Sequence, residues 1–256
     1  MSQWKLSGPE PVRIVTLNTW KNDGDYPRRL PLMLGGLAAM APDVVCLQEC
    51  FAAEGFDTAA FLAAGLGLDL HAAPARGKPR RHEGRDLFST SGLAILARGE
   101  AAMARLPLTS HPADGERIAQ RLDLVVEGRP LRVLNLHLTH LRNASQLRAT
   151  QLSEALEWAS TDLAGGLVVA GDLNAPAHDP ALAPLDLEPR PATMQGARAD
   201  WTRPATMPGA GAIDHCVLLR ARSWRETGLL RGCDAPDPDG WLPSDHAAVG
   251  VELSGS

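Results

Sequence analysis

Apolar positions along this chain follow two periods. Residues 12–18 (Val-Arg-Ile-Val-Thr-Leu-Asn) alternate and are rich in β-branched side chains, which predicts a strand ending at Asn18. Residues 44–47 and 167–170 are continuous apolar runs, the pattern of strands buried on both faces. Further strands are predicted at 92–97, 122–126, 131–137, 213–219 and 247–253, with Glu127-Gly128-Arg129-Pro130 as a hairpin turn. Helical spacing appears at 28–40 (Leu30, Met33, Leu34, Leu37, Met40) and at 56–66, closed by Gly65 and Gly67. A third helix is predicted from an Asn143 cap, with Gln146 three residues on, to about Asp162. Its buried stripe is Ala149, Leu152, Ala155, Leu156, Ala159 and Leu163. Residues 74–91, 175–211 and 232–244 lack either period and read as loops. The strand–helix–strand order predicts alternating α/β units.

The polar residues that end these runs carry the chemistry. After 167–170, Gly171 is read as giving a ligand close access to the backbone. Asp172 and Asn174 follow two residues apart, which in extended backbone points both to one side. A carboxylate can hold a metal ion or an attacking water, and a carboxamide can donate to a phosphate oxygen. The same Gly-Asp-x-Asn-x-Pro string is also good turn chemistry. Asn18, Glu49, His137, Asp214 and His246 likewise stand at or beside strand ends. If those ends share a rim, the set is that of a hydrolytic divalent-metal site.

Composition narrows the partners. The 256 residues are 45% apolar, enough for a substantial core, and the net charge is -5 with a pI near 5.9. No global basic field attracts nucleic acid. Lysine occurs only at 5, 21 and 78, yet Arg76, Lys78, Arg80, Arg81 and Arg85 crowd one segment. That segment reads either as a solvated charged loop or as a phosphate-contacting lip. Cys46, Cys50, Cys216 and Cys233 are expected to be reduced, and no second Cys or His pair stands at zinc spacing. With no signal-like apolar stretch and no apolar run near ~18 residues, a cytoplasmic protein without membrane partners is expected.

Eight motifs occur in one order: Leu17-Asn18-Thr19-Trp20, Leu47-Gln48-Glu49, Ser91-Gly92-Leu93-Ala94-Ile95, Asn135-Leu136-His137-Leu138, Arg148-x-x-Gln151, Gly171-Asp172-Leu173-Asn174, Ile213-Asp214-His215 and Ser244-Asp245-His246. This ordered set resembles the endonuclease/exonuclease/phosphatase superfamily, to which deoxyribonuclease I belongs. The resemblance implies a four-layer α/β/β/α sandwich, two mainly antiparallel sheets flanked by helices. It would fill residues 12–253 as one domain behind an N-terminal tail of residues 1–11. It also implies magnesium (or manganese) at Glu49, Asn18 and Asp245. Catalysis would fall to His246 with its carboxylate partner Asp214, to Asp172 at the attacking water, and to His137 and Asn174 at the phosphate oxygens. Whether Asp172 or His246 is the general base stays open. Substrate contacts are expected from Asn174, His137, Trp201, Arg81 and Arg85.

The chain also departs from its relatives. Deoxyribonuclease I has a glutamate supporting its first histidine, whereas Phe88-Ser89-Thr90-Ser91 carries no acid; Glu83 and Asp86 are the nearest substitutes. The Cys-Asp-Arg of inositol polyphosphate 5-phosphatases is absent at Ile213-Asp214-His215, and so is the export signal of secreted sphingomyelinases. The expected activity is a metal-dependent phosphoesterase, a hydrolase acting on a phosphodiester or phosphomonoester of a small or nucleotide-like substrate. The alternatives are a DNA or RNA nuclease of repair type and a non-catalytic binding module on the same fold.

Overall fold

The computed structural model describes residues 11–99, 101–189, 191, 193–195 and 212–256. The chain runs β1 (Val12–Asn18), α1 (Tyr26–Met40), β2 (Val44–Ala53), β3 (Phe56–Asp57), α2 (Thr58–Leu66), β4 (Asp69–Ala73), β5 (Lys78–His82) and β6 (Arg85–Ala97). It continues through β7 (Ala102–Leu108), β8 (Arg117–Val126), β9 (Arg129–His137), α3 (Ser145–Ser160) and β10 (Gly166–Asp172). A short 3-10 turn (Pro180–Leu185), β11 (Asp214–Arg220), β12 (Trp224–Gly232) and β13 (Ala248–Gly255) complete it.

Two sheets form. One has the order β12-β13-β1-β2-β6-β4, with β3 added to β2 and β5 to β6; the other is β11-β10-β9-β8-β7. Each contains one parallel pair, β1/β2 and β10/β9, and each such pair is joined through a helix, α1 and α3 respectively. All other pairs are antiparallel. Strand alternation assigns each residue to a layer. Val12, Ile14, Val44, Cys46, Val133, Val168, Ala170 and Cys216 pack in the core between the sheets. Their odd-numbered or even-numbered neighbours face outward: Val15, Leu17, Val45 and Leu47 meet α1 and α2, and Leu134, Leu136, Leu167 and Val169 meet α3. The result is the expected four-layer sandwich.

Several local expectations are corrected. Residues 74–91 are not a loop, because β5 and the first part of β6 pair from Lys78–Ser89 to His82–Arg85 around Glu83-Gly84. Both turn residues have positive φ, 47° and 78°, the geometry of a tight hairpin. Pairing partners, not hydrophobic alternation, make this strand. Asn143 does not cap α3: it sits at φ 55°, the cap is Ala144, and no side chain bonds the helix start. The second helix begins only at Thr58, with the Asp57 carboxylate accepting from Ala60 N, and Gly67 (φ 65°), not Gly65, ends it. Strands β4, β7 and β12 were not anticipated; few of their residues are buried, so apolar alternation is weak in them. All four cysteines are buried, and none forms a disulfide. No helix among the described residues is long and apolar enough to cross a membrane.

Candidate active site

The same alternation that builds the core builds the rim above it. Asn18, His137, Asp172 and Asp214 share the parity of the core residues on their strands, so they continue the inter-sheet face past its apolar part. A polar layer separates the two. Gln48 Nε2 donates to Thr16 Oγ1 (2.9 Å) and to Asn135 Oδ1 (2.7 Å), while Asn135 Nδ2 donates to Leu47 O and Ala94 O, each at 3.0 Å. These buried amides hold both sheets at a fixed spacing beneath the site.

His137, Asp172 and Asp214 occupy one register row across β9, β10 and β11. Asp172 Oδ2 lies 3.6 Å from His137 Nε2 and 4.0 Å from His246 Nε2. From the other sheet, Asn18 Nδ2 donates to the same Oδ2 at 2.9 Å. His246 Nδ1 is 2.8 Å from Asp214 Oδ2, so Nδ1 carries a proton toward that carboxylate and Nε2 turns to the rim. Asp245 Oδ1 stands 3.8 Å from that Nε2. Glu49 reaches the rim at a β-bulge, where the β2/β6 register shifts between Leu47 and Cys50 and Glu49 takes φ 55°. Trp20, Lys21 and Asn174 also have positive φ. Such backbone is held only where surroundings over-determine it.

The structure revises two readings of the 171–174 stretch. Gly171 does not make room for a ligand: a Cβ there would meet Leu136 O at 2.0 Å, so the glycine is required by the neighbouring strand. Asn174 is not extended. At φ 50° its N–H donates to Asp172 Oδ1 (2.9 Å) and its Nδ2 to Leu138 O (3.0 Å), so the turn and the polar pair are the same object. One N–H of the Asn174 amide remains for a ligand.

Burial decides the charge states. Asp172 is pushed up to about 7, first by burial and then by Asp214. Asp245 is also raised, chiefly by burial. His137 is held well below the ordinary imidazole value by burial and by the Arg117 and Lys21 charges, and is neutral. Burial alone would lower His246 too, but Asp214 and Asp245 outweigh it and keep it an imidazolium.

Several site residues had no signal in the sequence. Lys21 Nζ is 2.8 Å from Glu49 Oε2. Arg29, wholly buried in α1, donates to the carbonyls of Thr19, Trp20, Lys21, Asp23 and Pro243 and fixes both loops that flank Asn18 and Asp245. Arg117 NH1 donates to His137 O (3.3 Å) and the same guanidinium pairs with buried Asp114, which also holds His140 Nδ1 at 2.6 Å. An arginine inside an amphipathic helix, or an Asp and Arg in a Pro/Gly-rich loop, looks like a solvated charge until the backbone folds around it. Neither Glu83 nor Asp86 supports His137; both are exposed on the β5–β6 hairpin, and Asp86 is 3.7 Å from Arg81. Arg81 lines a cleft beside Glu49. Arg85 is exposed near the hairpin tip opposite His82, outside that lining. Trp201 lies outside the described residues.

The rim suits a hard divalent cation. Asn18, Glu49, Asp172 and Asp245 offer oxygen donors, and Asp214 Oδ1 is buried with no hydrogen-bond partner among the described residues. Ligand atoms of Asp172, Asp214 and His246 lie within 4.8 Å of one another.

The fold is similar to that of the human nocturnin catalytic domain (21% identity, 96% of this chain and 95% of that chain covered, TM-score 0.71). It is similar to an endonuclease/exonuclease/phosphatase from Beutenbergia cavernae (21%, 96% and 72% covered, TM-score 0.68). A mannosyl-6-phosphatase from Bacteroides thetaiotaomicron is also similar (17%, 94% and 99% covered, TM-score 0.65). At these identities the likeness is one of fold. No curated protein matches the sequence. The model of the endonuclease/exonuclease/phosphatase family matches residues 15–246, and the chain belongs to that family.

Proposed function

We propose that this chain is a divalent-metal-dependent phosphoesterase that cleaves a phosphodiester or phosphomonoester of a small or nucleotide-like substrate by in-line attack of water. The reading rests on one observation: the Asp172 carboxylate stands between two imidazoles, 3.6 Å from His137 Nε2 and 4.0 Å from His246 Nε2.

Glu49, Asn18 and Asp245 would hold magnesium or manganese. The ion, when bound, supplies Lewis-acid polarisation of the phosphoryl group and offsets its charge. Asp172 orients the attacking water and accepts its proton as the new P–O bond forms, while the bond to the ester oxygen breaks and the departing oxygen takes its proton from solvent water. His246 Nε2–H donates to a phosphate oxygen as negative charge grows there, with Asp214 fixing the ring. Neutral His137 and the free N–H of Asn174 donate to the other oxygens. Lys21 neutralises Glu49 until substrate and cation arrive.

The test is hydrolysis of p-nitrophenyl phosphate, bis-p-nitrophenyl phosphate and a nucleotide panel with magnesium, manganese or calcium. Turnover lost in both His246→Ala and Glu49→Ala is the expected result. Folded wild-type protein inert on every ester with every ion would sink the proposal.

A nuclease is the second reading, favoured by the cations of β5 and the preceding segment. It predicts nicking of plasmid or abasic DNA and binding that weakens steeply with salt.

A further inference from the structure

A cleft of about 480 Å³ opens beside Glu49, walled by the β5–β6 hairpin and the loop after β1. Lys21, Arg76, Lys78, Arg80 and Arg81 line it, against the two acids Asp23 and Glu49. Lys21 already engages both acids, at 3.7 and 2.8 Å. Arg81 stands 3.7 Å from Asp86. Among the described residues no carboxylate pairs with the side chain of Arg76, Lys78 or Arg80. In a chain of net charge -5 this is a local surplus, not a property of the surface.

The surplus is built, not incidental. Arg80 NH1 donates to Ser89 O (2.9 Å) and Oγ (2.8 Å), and NH2 to Ser91 Oγ (2.6 Å) and Arg76 O (3.3 Å). The guanidinium is thereby fixed, with Nε–H left over. Lys78, two residues back on the same strand, shares its face. Arg76 lies against Gly115, where a Cβ would come 3.1 Å from its Nε. Asn22 Nδ2 donates to Arg81 O (3.0 Å) and ties the loop to the hairpin. Burial first, and then the neighbouring cations, lower both Lys78 and Arg80 from their ordinary values, as expected where like charges are held together without an anion.

Glu49 belongs to both places: it lines the cleft, and its Oε1 is 4.0 Å from His137 Nε2. An anion in the cleft is therefore adjacent to the reacting rim. We propose that the cleft is a subsite for a second phosphate of the substrate, so that the enzyme prefers small phosphoesters carrying two phosphate groups. This rests on the phosphoesterase reading. The cations converge on a pocket of small-molecule size instead of running along a stripe, and the remaining surface carries the net negative charge, which disfavours an extended polyanion.

Two measurements test it. Turnover is compared on matched pairs: glucose 6-phosphate with glucose 1,6-bisphosphate, and adenosine 3'-monophosphate with adenosine 3',5'-bisphosphate. Each bisphosphate is expected to have a KM at least tenfold lower, with the advantage shrinking to under threefold in Lys78→Gln and in Arg80→Gln. Calorimetry with pyrophosphate then reads binding without chemistry. Wild type and His246→Ala are expected to bind it, and Lys78→Gln, an exposed position, to bind at least tenfold more weakly. Equal KM values in the wild type, or pyrophosphate binding untouched by Lys78→Gln, overturns the subsite. Tighter, steeply salt-dependent binding of a DNA 20-mer than of either bisphosphate overturns it in favour of nucleic acid. Pyrophosphate binding that needs Lys78, with no ester hydrolysed, leaves a diphosphate-binding cleft and removes the phosphoesterase reading, and with it the preference for bisphosphate substrates.

Discussion

Asp172 and His137 are paired in register on parallel strands, and Oδ2 of the one lies 3.6 Å from Nε2 of the other. Asp214 holds the corresponding place on the far side of Asp172. Asp214 raises the proton affinity of both Asp172 beside it and His246 above the row. Substitutions here are expected to act on titration as much as on shape.

Asp214→Asn removes the carboxylate that outweighs burial at His246. The native His246 value lies above that of an unfolded imidazole, about 6.5. Stabilisation from the pair is therefore fully present below that pH and is lost as pH rises through the folded value. In the variant, NMR titration of the His246 ring is expected to move to lower pH, and turnover to fall by roughly 10²–10⁴. An unmoved titration would show that Asp214 does not set the charge of His246.

Asp172→Asn separates stability from activity. The native carboxyl, raised by burial and Asp214 to about 7, is above the unfolded value near 3.9. Its contribution to stability is present below about 3.9 and lost as pH rises through about 7, so the metal-free protein at pH 8 holds an unfavourable buried charge. The variant is expected to melt at a higher temperature than metal-free wild type at pH 8, with the difference shrinking at pH 5. Magnesium should raise the wild-type Tm more than that of the variant, and chelation should reverse it. Turnover should drop at least ~100-fold. A variant that melts lower than wild type at pH 8 would contradict this account.

Arg29→Met tests the buried clamp. Five backbone carbonyls lose the guanidinium and four of them lose their donor, since Trp20 O keeps Asp23 N–H; at about 1 kcal/mol for each group left unsatisfied, the loss of stability should be at least ~3 kcal/mol by urea unfolding. The loops carrying Lys21 and Asp245 should also loosen, so kcat falls at temperatures where the variant is folded. A loss under ~1 kcal/mol would mean that water replaces the guanidinium.

Gly171→Ala places a methyl 2.0 Å from Leu136 O, at φ 145°. Backbone cannot move aside as a flexible side chain can, so β9 and β10 must separate, and the row of His137 and Asp172 with them. Destabilisation of roughly 2 kcal/mol or more is expected, together with a lower kcat. Retained activity in a stable variant would show that the row tolerates a shift.

The sequence made the layers readable because a period of two is local. It places Val168, Ala170 and Asp172 on one face of the strand, but Leu167 and Val169 are equally apolar, so only the packing shows which face meets the other sheet. The β5 strand was hidden because Lys78 to His82 gain their structure from β6 and carry no hydrophobic alternation of their own. The missing cap of α3 shows the reverse: Asn143 and Gln146 fit a local motif, and tertiary structure set Asn143 to φ 55° instead.

By itself, then, the chain determined which residues could face the rim: the polar ends of apolar strands, carried there by alternation that short-range sterics impose. Tertiary structure alone decided which of them touch. Register put His137, Asp172 and Asp214 in one row, a bulge brought Glu49 to the edge, and a hairpin closed Arg76, Lys78 and Arg80 around a cleft. Those outcomes depend on backbone pairing between segments as far apart as Val44 and Ala97 or Leu167 and Arg220, and no short window of sequence encodes the partner that each strand will find.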